Sequence, residues 1–383
     1  MFDWRESQSF RKYSKAIDKN CQKIIKTLHE TGTNNLSLLA KKAEMSPALV
    51  HYYYDKLTGR NILKLKVKIN VRNIGLQPIE IIFKDESEKG EIRLETDLER
   101  IDYWRRIEKY YVQMDTYWHA YYNIPKEAIS EFNKFIRSLE KEGNIKITYI
   151  NTNPIEYNTK PNIDWFNDEE RKWDFKWEEW IDEVIHGKEI EVPLIKSEEY
   201  MVLDKPDVFI IRKLEEDAET SFKEIASEMG VTPPTIRYHY YKHLIKYDII
   251  KGYEAELKLY PEGQTGEASH LLVVELYVYP EGQETQPLTQ IQFTSRKNMC
   301  TFLASLEGKP FTSRALINLE NNIVVIYNYV PLDQIIELNK ALIIMKKIGI
   351  IKDCSIGLID RKVKKEKKLP MELYERGKWT VKF

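Results

Sequence analysis

The chain has 383 residues, 42% of them hydrophobic and 12% aromatic, which is ample for packed cores in two to four domains. Its net charge of −1 leaves nucleic-acid binding to the distribution of charge rather than to its sum. Three scattered cysteines, Cys21, Cys300 and Cys354, exclude a disulfide framework or a cysteine-rich metal site and suggest a reducing cytosol. The start MFDWRESQSFRK lacks the apolar core of a signal peptide, and no uncharged apolar run approaches the roughly 18 residues of a membrane helix.

In chain order, residues 1–17 form a basic arm dotted with aromatics, including Trp4, Arg11 and Tyr13. Residues 18–70 follow a helix-turn-helix pattern with a wing. Within LSLLAKKAEMSPALVHYYYDKL, Ser46 is placed to cap a helix that Pro47 opens. The wing reads NILKLKVKIN, where Leu63, Leu65, Val67 and Ile69 alternate with Lys64, Lys66 and Lys68. A strand there carries all three lysines on one face.

Residues 71–177 predict an α/β unit. QPIEIIF (77–83) reads as a strand, Asp97 to Lys109 as a helix, and 110–116 and 118–124 as two more strands. After Pro125, Ile129, Phe132, Phe135, Ile136 and Leu139 share one helical face, Gly143 closes the helix, and IKITYI (145–150) is a final strand. The order βαββαβ is that of a ferredoxin-like fold. Residues 178–203 form a linker, part of it a docked helix with Trp180, Ile181, Val184 and Ile185 inward.

Residues 204–260 repeat the helix-turn-helix. Phe222, Ile225, Ala226 and Met229 lie on one face, Gly230 permits a left-handed turn, and Thr232 and Pro233 are fit to start the next helix. Asp248 to Gly252 is expected to open a second wing hairpin. The two copies align at an offset of 186, so Asp18, Ala40, Pro47, Tyr52, Tyr54 and Lys56 match Asp204, Ala226, Pro233, Tyr238, Tyr240 and Lys242. Residues 261–383 repeat the α/β unit at an offset of 206, with a basic extension, RKVKKEKK (361–368). Trp173 and Trp379 also match at this offset. The change of offset locates an insertion of 20 residues, marked by YPEGQ at 260–264 and again at 279–283.

Charge separates the copies. Residues 1–75 hold 15 Lys/Arg against 6 Asp/Glu, a net +9, whereas 204–260 hold 9 against 11, a net −2. His239 and His243, four apart on one helix, are a spacing that binds zinc, but the sequence shows no third or fourth ligand nearby, so a recognition helix is the preferred reading. Tyr54 and Tyr240 are expected in the core, Tyr52 and Tyr238 on the surface.

A winged helix followed by βαββαβ resembles the Lrp/AsnC (feast/famine) regulators of archaea and bacteria. The likeness is closest over DVFIIRKL…FKEIASEMGVTPPTIRY…DIIKG. For each copy of the repeat it implies a winged helix-turn-helix domain followed by a RAM-like α/β domain, which with the repeat makes a tandem α+β chain. It implies binding of double-stranded DNA, a cytoplasmic, nucleoid-associated place, and α/β domains that pair within the chain or with a second chain and bind a small effector. The recognition positions it implies are Ser46, Ala48, Leu49, His51 and Tyr52, then Thr232, Pro234, Thr235, Arg237 and Tyr238, with phosphate contacts from Lys56, Lys64, Lys66, Lys68 and Lys242. Pairing of the α/β domains is expected to bury Ile129, Phe132 and Phe135, or Ile335 and Leu342, in a shared core.

Three features depart from the family. The unit is doubled. The turn between the middle strands reads Met114-Asp115-Thr116 and Glu320-Asn321-Asn322, where the family has Gly-Asp, and the Trp extensions lie outside the pattern. Sirohaem decarboxylases share the layout and use Arg and His near the linker strand. Here that stretch is NVRNIG, with Arg72 alone. The expectation is a DNA-binding protein without enzymatic activity, cofactor or metal; a protein-binding use of the winged helices is the first alternative and a sirohaem-decarboxylase-like enzyme the second.

Overall fold

The computed structural model describes residues 8–86, 91–142, 145–188, 190, 200–258, 267–276 and 295–381. Gly143 and both YPEGQ segments lie outside the described residues. Helix α1 (Gln8–Ala16) precedes a three-helix unit of α2 (Lys19–Thr31), α3 (Leu36–Lys42) and α4 (Pro47–Thr58). Asp18, Asn35 and Ser46 cap the three, each accepting backbone N–H bonds of the first turn. Gly32 ends α2 at φ +55°, a conformation that costs other residues about 1–2 kcal/mol. The inward stripes, among them Ile24, Ile25, Leu28, Leu39, Val50 and Tyr54, make a core of their own.

Strand β1 (Leu63–Ile69) leads to the first α/β unit: β2 (Leu76–Asp85), α5 (Glu91–Glu99), β3 (Trp104–Val112), β4 (Asp115–Pro125), α6 (Ile129–Lys141), β5 (Ile145–Asn151) and the short β6 (Ile155–Asn158). The helix expected over 97–109 is corrected, because α5 ends at Glu99 and 104–112 is strand. Leu98, Ile101 and Trp104 have helical spacing, but only Leu98 lies in α5, and Trp104 opens a strand that pairs along β4. The turn after it carries Gln113 at φ +55°.

A small hairpin, β7 (Phe166–Asn167) with β8 (Lys172–Trp173), closes over the first three-helix unit through Trp165, Phe166 and Trp173. Helix α7 (Trp177–His186) then docks Trp180 and Val184 against the second α/β unit. The second three-helix unit has α8 (Lys205–Glu216), α9 (Phe222–Met229) and α10 (Pro233–Tyr238), the last continued by a π-helical segment, His239–Ile245. Strand β9 (Ile250–Leu257) leads to β10 (Glu267–Leu276), α11 (Ser295–Leu306), β11 (Thr312–Asn318), β12 (Ile323–Pro331), α12 (Ile335–Lys347), β13 (Ile351–Ile359) and β14 (Lys365–Glu366). A last hairpin, β15 (Tyr374–Glu375) with β16 (Lys378–Trp379), packs Tyr374 and Trp379 into the core shared by the second three-helix unit and the first α/β unit, where Trp379 meets Tyr103 and donates to the Ile74 carbonyl. The Trp extensions are thus a third part of the repeat.

Both α/β units contribute to one large antiparallel sheet, ordered β5-β2-β4-β3-β13-β10-β12-β11-β6, with β14 on β3. Within each unit the order is that of a ferredoxin-like fold. The units join where Tyr110 and Tyr111 of β3 meet Ile359 and Leu358 of β13, and where β6 pairs with β11. Ile82, Tyr110, Tyr121, Leu271, Leu316, Val325, Tyr327 and Ile359 form an interior drawn from both units. The shared core expected of the helices is therefore corrected. Phe132 and Ile136 lie in a core that the first α/β unit shares with the second three-helix unit, and Leu338 and Leu342 in the second α/β unit's, because the helices cover outer faces while the strands meet inside.

The wing expectation also changes. Among the described residues no second hairpin forms from 248–252; instead β1 pairs antiparallel with β9, from Leu63 opposite Leu257 to Ile69 opposite Ile250. Leu63, Leu65, Tyr253, Ala255 and Leu257 pack on the first three-helix core. The opposite face sets Lys66 across from Glu254 and Lys64 across from Glu256, the charge pairing that stabilises adjacent strands.

Candidate nucleic-acid interface and central cavity

Helix α4 buries Val50, Tyr54 and Leu57 and leaves Ser46, Ala48, Leu49, His51 and Tyr52 exposed. Leu49 and Tyr52, at 45% and 62% exposure, make its surface unusually apolar. Lys56 does not join that surface. Its ammonium is half-buried 2.6 Å from Asp18 Oδ2, so it clasps the unit instead of facing outward. Burial alone would raise Asp18 and depress Lys56. The ion pair reverses both, leaving the carboxyl below and the ammonium above its ordinary value.

Helix α10 and its π-helical continuation bury Ile236, Tyr240 and Leu244. Thr232, Pro234, Arg237, Tyr238 and Lys242 are exposed, with Thr235 half-buried. Thr232 occupies the cap position, but its hydroxyl meets that of Thr235 at 3.0 Å and no backbone N–H. The tyrosines divide as their spacing predicts, Tyr54 and Tyr240 inward, Tyr52 and Tyr238 outward.

The lysines of β1 have a different setting. Lys64 is exposed, whereas Lys66 and Lys68 line a cavity of about 750 Å³ between the β1–β9 ribbon and the large sheet. Lys66 pairs with Glu256 at 2.7 Å. Nine Lys/Arg and six Asp/Glu line this cavity, and no histidine does. Lys364 and Lys367 belong to the basic run 361–368 that the sequence marks as a phosphate contact, whereas nothing in the sequence singles out Arg105, Arg106, Lys251 and Arg314, because they come from separate strands of both halves. The sequence also singles out Arg72, in the stretch NVRNIG. It donates to Asn153 Oδ1 at 2.5 Å and to the Pro154 carbonyl at 2.9 Å.

Several of these cations are only partly satisfied. Arg105 bonds Glu215 through Nη2 at 2.7 Å, but its buried Nη1 has no hydrogen-bond partner. Arg314 Nε lies 3.0 Å from Glu156 Oε1 without hydrogen-bond geometry. Burial would raise the Glu366 carboxyl, but Arg106, Lys66 and Lys364 hold it down at about 2. An anionic ligand here would meet guanidinium donors whose desolvation has already been paid, the setting in which charge-assisted bonds are strongest.

Arg106 and Arg314 also lie over the Tyr327 ring, at 4.9 and 5.9 Å. Tyr327 donates to His119 Nδ1 at 2.6 Å, and His119 Nε2 donates to Glu80 at 2.9 Å. All three groups are buried, with Glu80 and His119 completely so. The bonds fix the imidazole tautomer, since Nε2 must carry the proton given to the carboxylate. Burial raises the Tyr327 hydroxyl well above its ordinary value, so it stays a donor.

Comparison with known proteins is sparse. No family model matches the sequence, and no curated protein is similar to it. Among solved structures, the siroheme decarboxylase NirDL aligns over 92% of this chain and 94% of that one, with TM-score 0.48 and 11% identity. A second NirDL structure, in complex with an iron-uroporphyrin III analogue, aligns at TM-score 0.48 and 10% identity over 90% and 92% of the chains. AsnC of E. coli aligns over 42% of this chain and 93% of its own, with TM-score 0.29 and 22% identity. The expectation of a protein without enzymatic activity is corrected on this point, because the neighbour that spans nearly the whole chain is an enzyme. No helix among the described residues is long and apolar enough to cross a membrane.

Proposed function

We propose that the chain binds double-stranded DNA through two winged helices, α4 and α10, as a regulator of Lrp/AsnC type whose two halves pair internally. The observation that supports this reading is how both helices divide. Each spends its apolar face on its own unit and leaves the opposite face free, with His51 and Tyr52 on one and Arg237, Tyr238 and Lys242 on the other. Such faces fit a major groove, with tyrosines and lysines on phosphates and the first helical turns on base edges. The shared sheet takes the place of dimerisation through a second chain. Titrating duplex DNA at increasing salt tests the reading. Affinity should fall linearly on a log–log plot. A chain that fails to bind any duplex in a selected pool at low salt would sink it.

The cavity favours a second activity in the same molecule. Its volume and its excess of Lys/Arg suit a polyanionic small molecule bound as effector or substrate. A multiply carboxylated tetrapyrrole, the class to which the ligand in one NirDL structure belongs, is one such molecule. Adding an iron porphyrin polycarboxylate and following its Soret band tests this. A shifted band lost in Arg106→Ala and Arg314→Ala supports occupancy of the cavity; an unshifted band removes the tetrapyrrole.

A further inference from the structure

Asp204, Asp207, His239 and His243 each bring a ligand atom into one place, all four within 4.8 Å of one another. We infer that these four residues form a binding site for a divalent transition-metal ion, with zinc the best fit, that fastens the second exposed helix to α8. The sequence supplied only the two histidines. The fold adds the carboxylates, because Asp204 caps α8 and Asp207 sits one turn further in, under the π-helical segment.

The distances suit the ion. His239 Nδ1 lies 3.1 Å from Asp207 Oδ1 and 3.3 Å from Asp204 Oδ2. His243 Nδ1 lies 3.1 Å from Asp207 Oδ2 and 3.7 Å from Asp204 Oδ2. Zinc bonds of about 2.0–2.2 Å at tetrahedral angles put neighbouring ligand atoms about 3.3–3.6 Å apart. Two carboxylates and two neutral imidazoles carry −2, which one divalent cation balances. Without it, each Nδ1–H faces two carboxylates and can serve only one of them.

The supports behind the ligands are also present. The capping box ties the carboxylates down, with the Asp207 N–H on Asp204 Oδ1 at 3.1 Å and the Asp204 N–H on Asp207 Oδ2 at 3.3 Å. Asp204 Oδ2 is left facing the imidazoles. Asp207 is fully buried, and the Tyr238 ring packs edge-on against both histidines at 5.6 and 5.5 Å. Orienting contacts of this kind tune metal sites. A His/carboxylate donor set suits zinc over calcium or magnesium, which take oxygen donors. Where α10 reads DNA, which rests on the reading above, the ion would set the pose of Arg237 and Tyr238.

The test needs no DNA. The full-length chain is stripped with chelator and titrated with Zn²⁺ alone, in competition with a chromophoric chelator, and separately with Co²⁺. One Zn²⁺ per chain and the visible bands of tetrahedral Co²⁺ are expected. His239→Ala and His243→Ala should each weaken binding at least tenfold, and Asp207→Asn likewise, with unchanged circular dichroism as the check on folding. His51→Ala, on the other exposed helix, should bind as wild type does. Substoichiometric binding by the wild type, or His243→Ala binding as tightly as wild type, overturns the site. Loss of DNA binding alone would leave it standing.

Discussion

At the start of each three-helix unit stands the same aspartate with a different partner. Asp18 caps α2 and holds the ammonium of Lys56; Asp204 caps α8 and faces two imidazoles, while Lys242, which matches Lys56, is exposed. The repeat kept the cap and exchanged the clasp. A lysine is a permanent cation that closes the unit by itself. A histidine pair leaves the same place open to a proton or a metal and releases the lysine to the surface. The cores differ too. The first unit's core is closed by its own helices, the ribbon and a Trp hairpin, whereas the second's is one cluster with the first α/β unit, holding Ile210 and Ile236 together with Ile79.

The difference between the cores gives the largest expected effect. Ile236→Ala should cost about 2–5 kcal/mol and lower hydrogen-exchange protection in β2 and β4 as well as in α10. Val50→Ala, equally buried, should cost about 1–3 kcal/mol and stay within the first unit. Equal spread of the two losses would show that the cores are not separate. At the interior that both halves share, Tyr327→Phe leaves His119 Nδ1 without its donor and should cost about 1–3 kcal/mol in urea unfolding, with the sheet intact.

Arg237→Ala should relax base preference by about 1–3 kcal/mol in one half-site only, since His51 in the first copy cannot make the same two-pronged bond. Selected sites of unchanged strength would assign α10 to protein contacts. Lys56→Met should cost at most about 1 kcal/mol, given that Asp18 is partly exposed, while Lys242→Met leaves stability unchanged and weakens DNA binding. The Asp18 carboxyl is held below its unfolded value. Its contribution is full above about pH 4 and is lost as pH falls through the folded value. The Lys56 ammonium is held above its unfolded value, so its contribution is full below about pH 10 and is lost as pH rises through the folded value. Wild type and Lys56→Met should therefore converge in acid. The smallest effect is on DNA: Lys66→Ala with Lys68→Ala should barely change the salt slope, since both line the cavity, whereas Lys64→Ala should lower it by about one.

Local chemistry made much of this fold legible. Ser46 and Gly230 mark helix ends through bonds within a few residues, and spacing alone placed Tyr54 and Tyr240 inside. Strand order within each α/β unit followed from βαββαβ. What spacing could not show is contact between distant segments. The partner of Lys66 is 190 residues away, the cavity's arginines stand on strands from both halves, and the carboxylates facing His239 lie two helices earlier. The helix expected over 97–109 failed for a related reason. The helical spacing of Leu98, Ile101 and Trp104 spans a helix end and a strand start, and only the pairing of β3 with distant β13 and β14 shows the break.

The β1–β9 ribbon sets who can join with whom. Were two copies of the first half to meet through β1, lysine would stand against lysine; two copies of the second half through β9 would oppose Glu254 and Glu256. Only the mixed ribbon puts unlike charges across from each other. Joining the halves in one polypeptide thus does more than raise their local concentration. It allowed each half to become a poor match for itself, so a cell holding related single-unit proteins would find this chain an unwilling exchange partner.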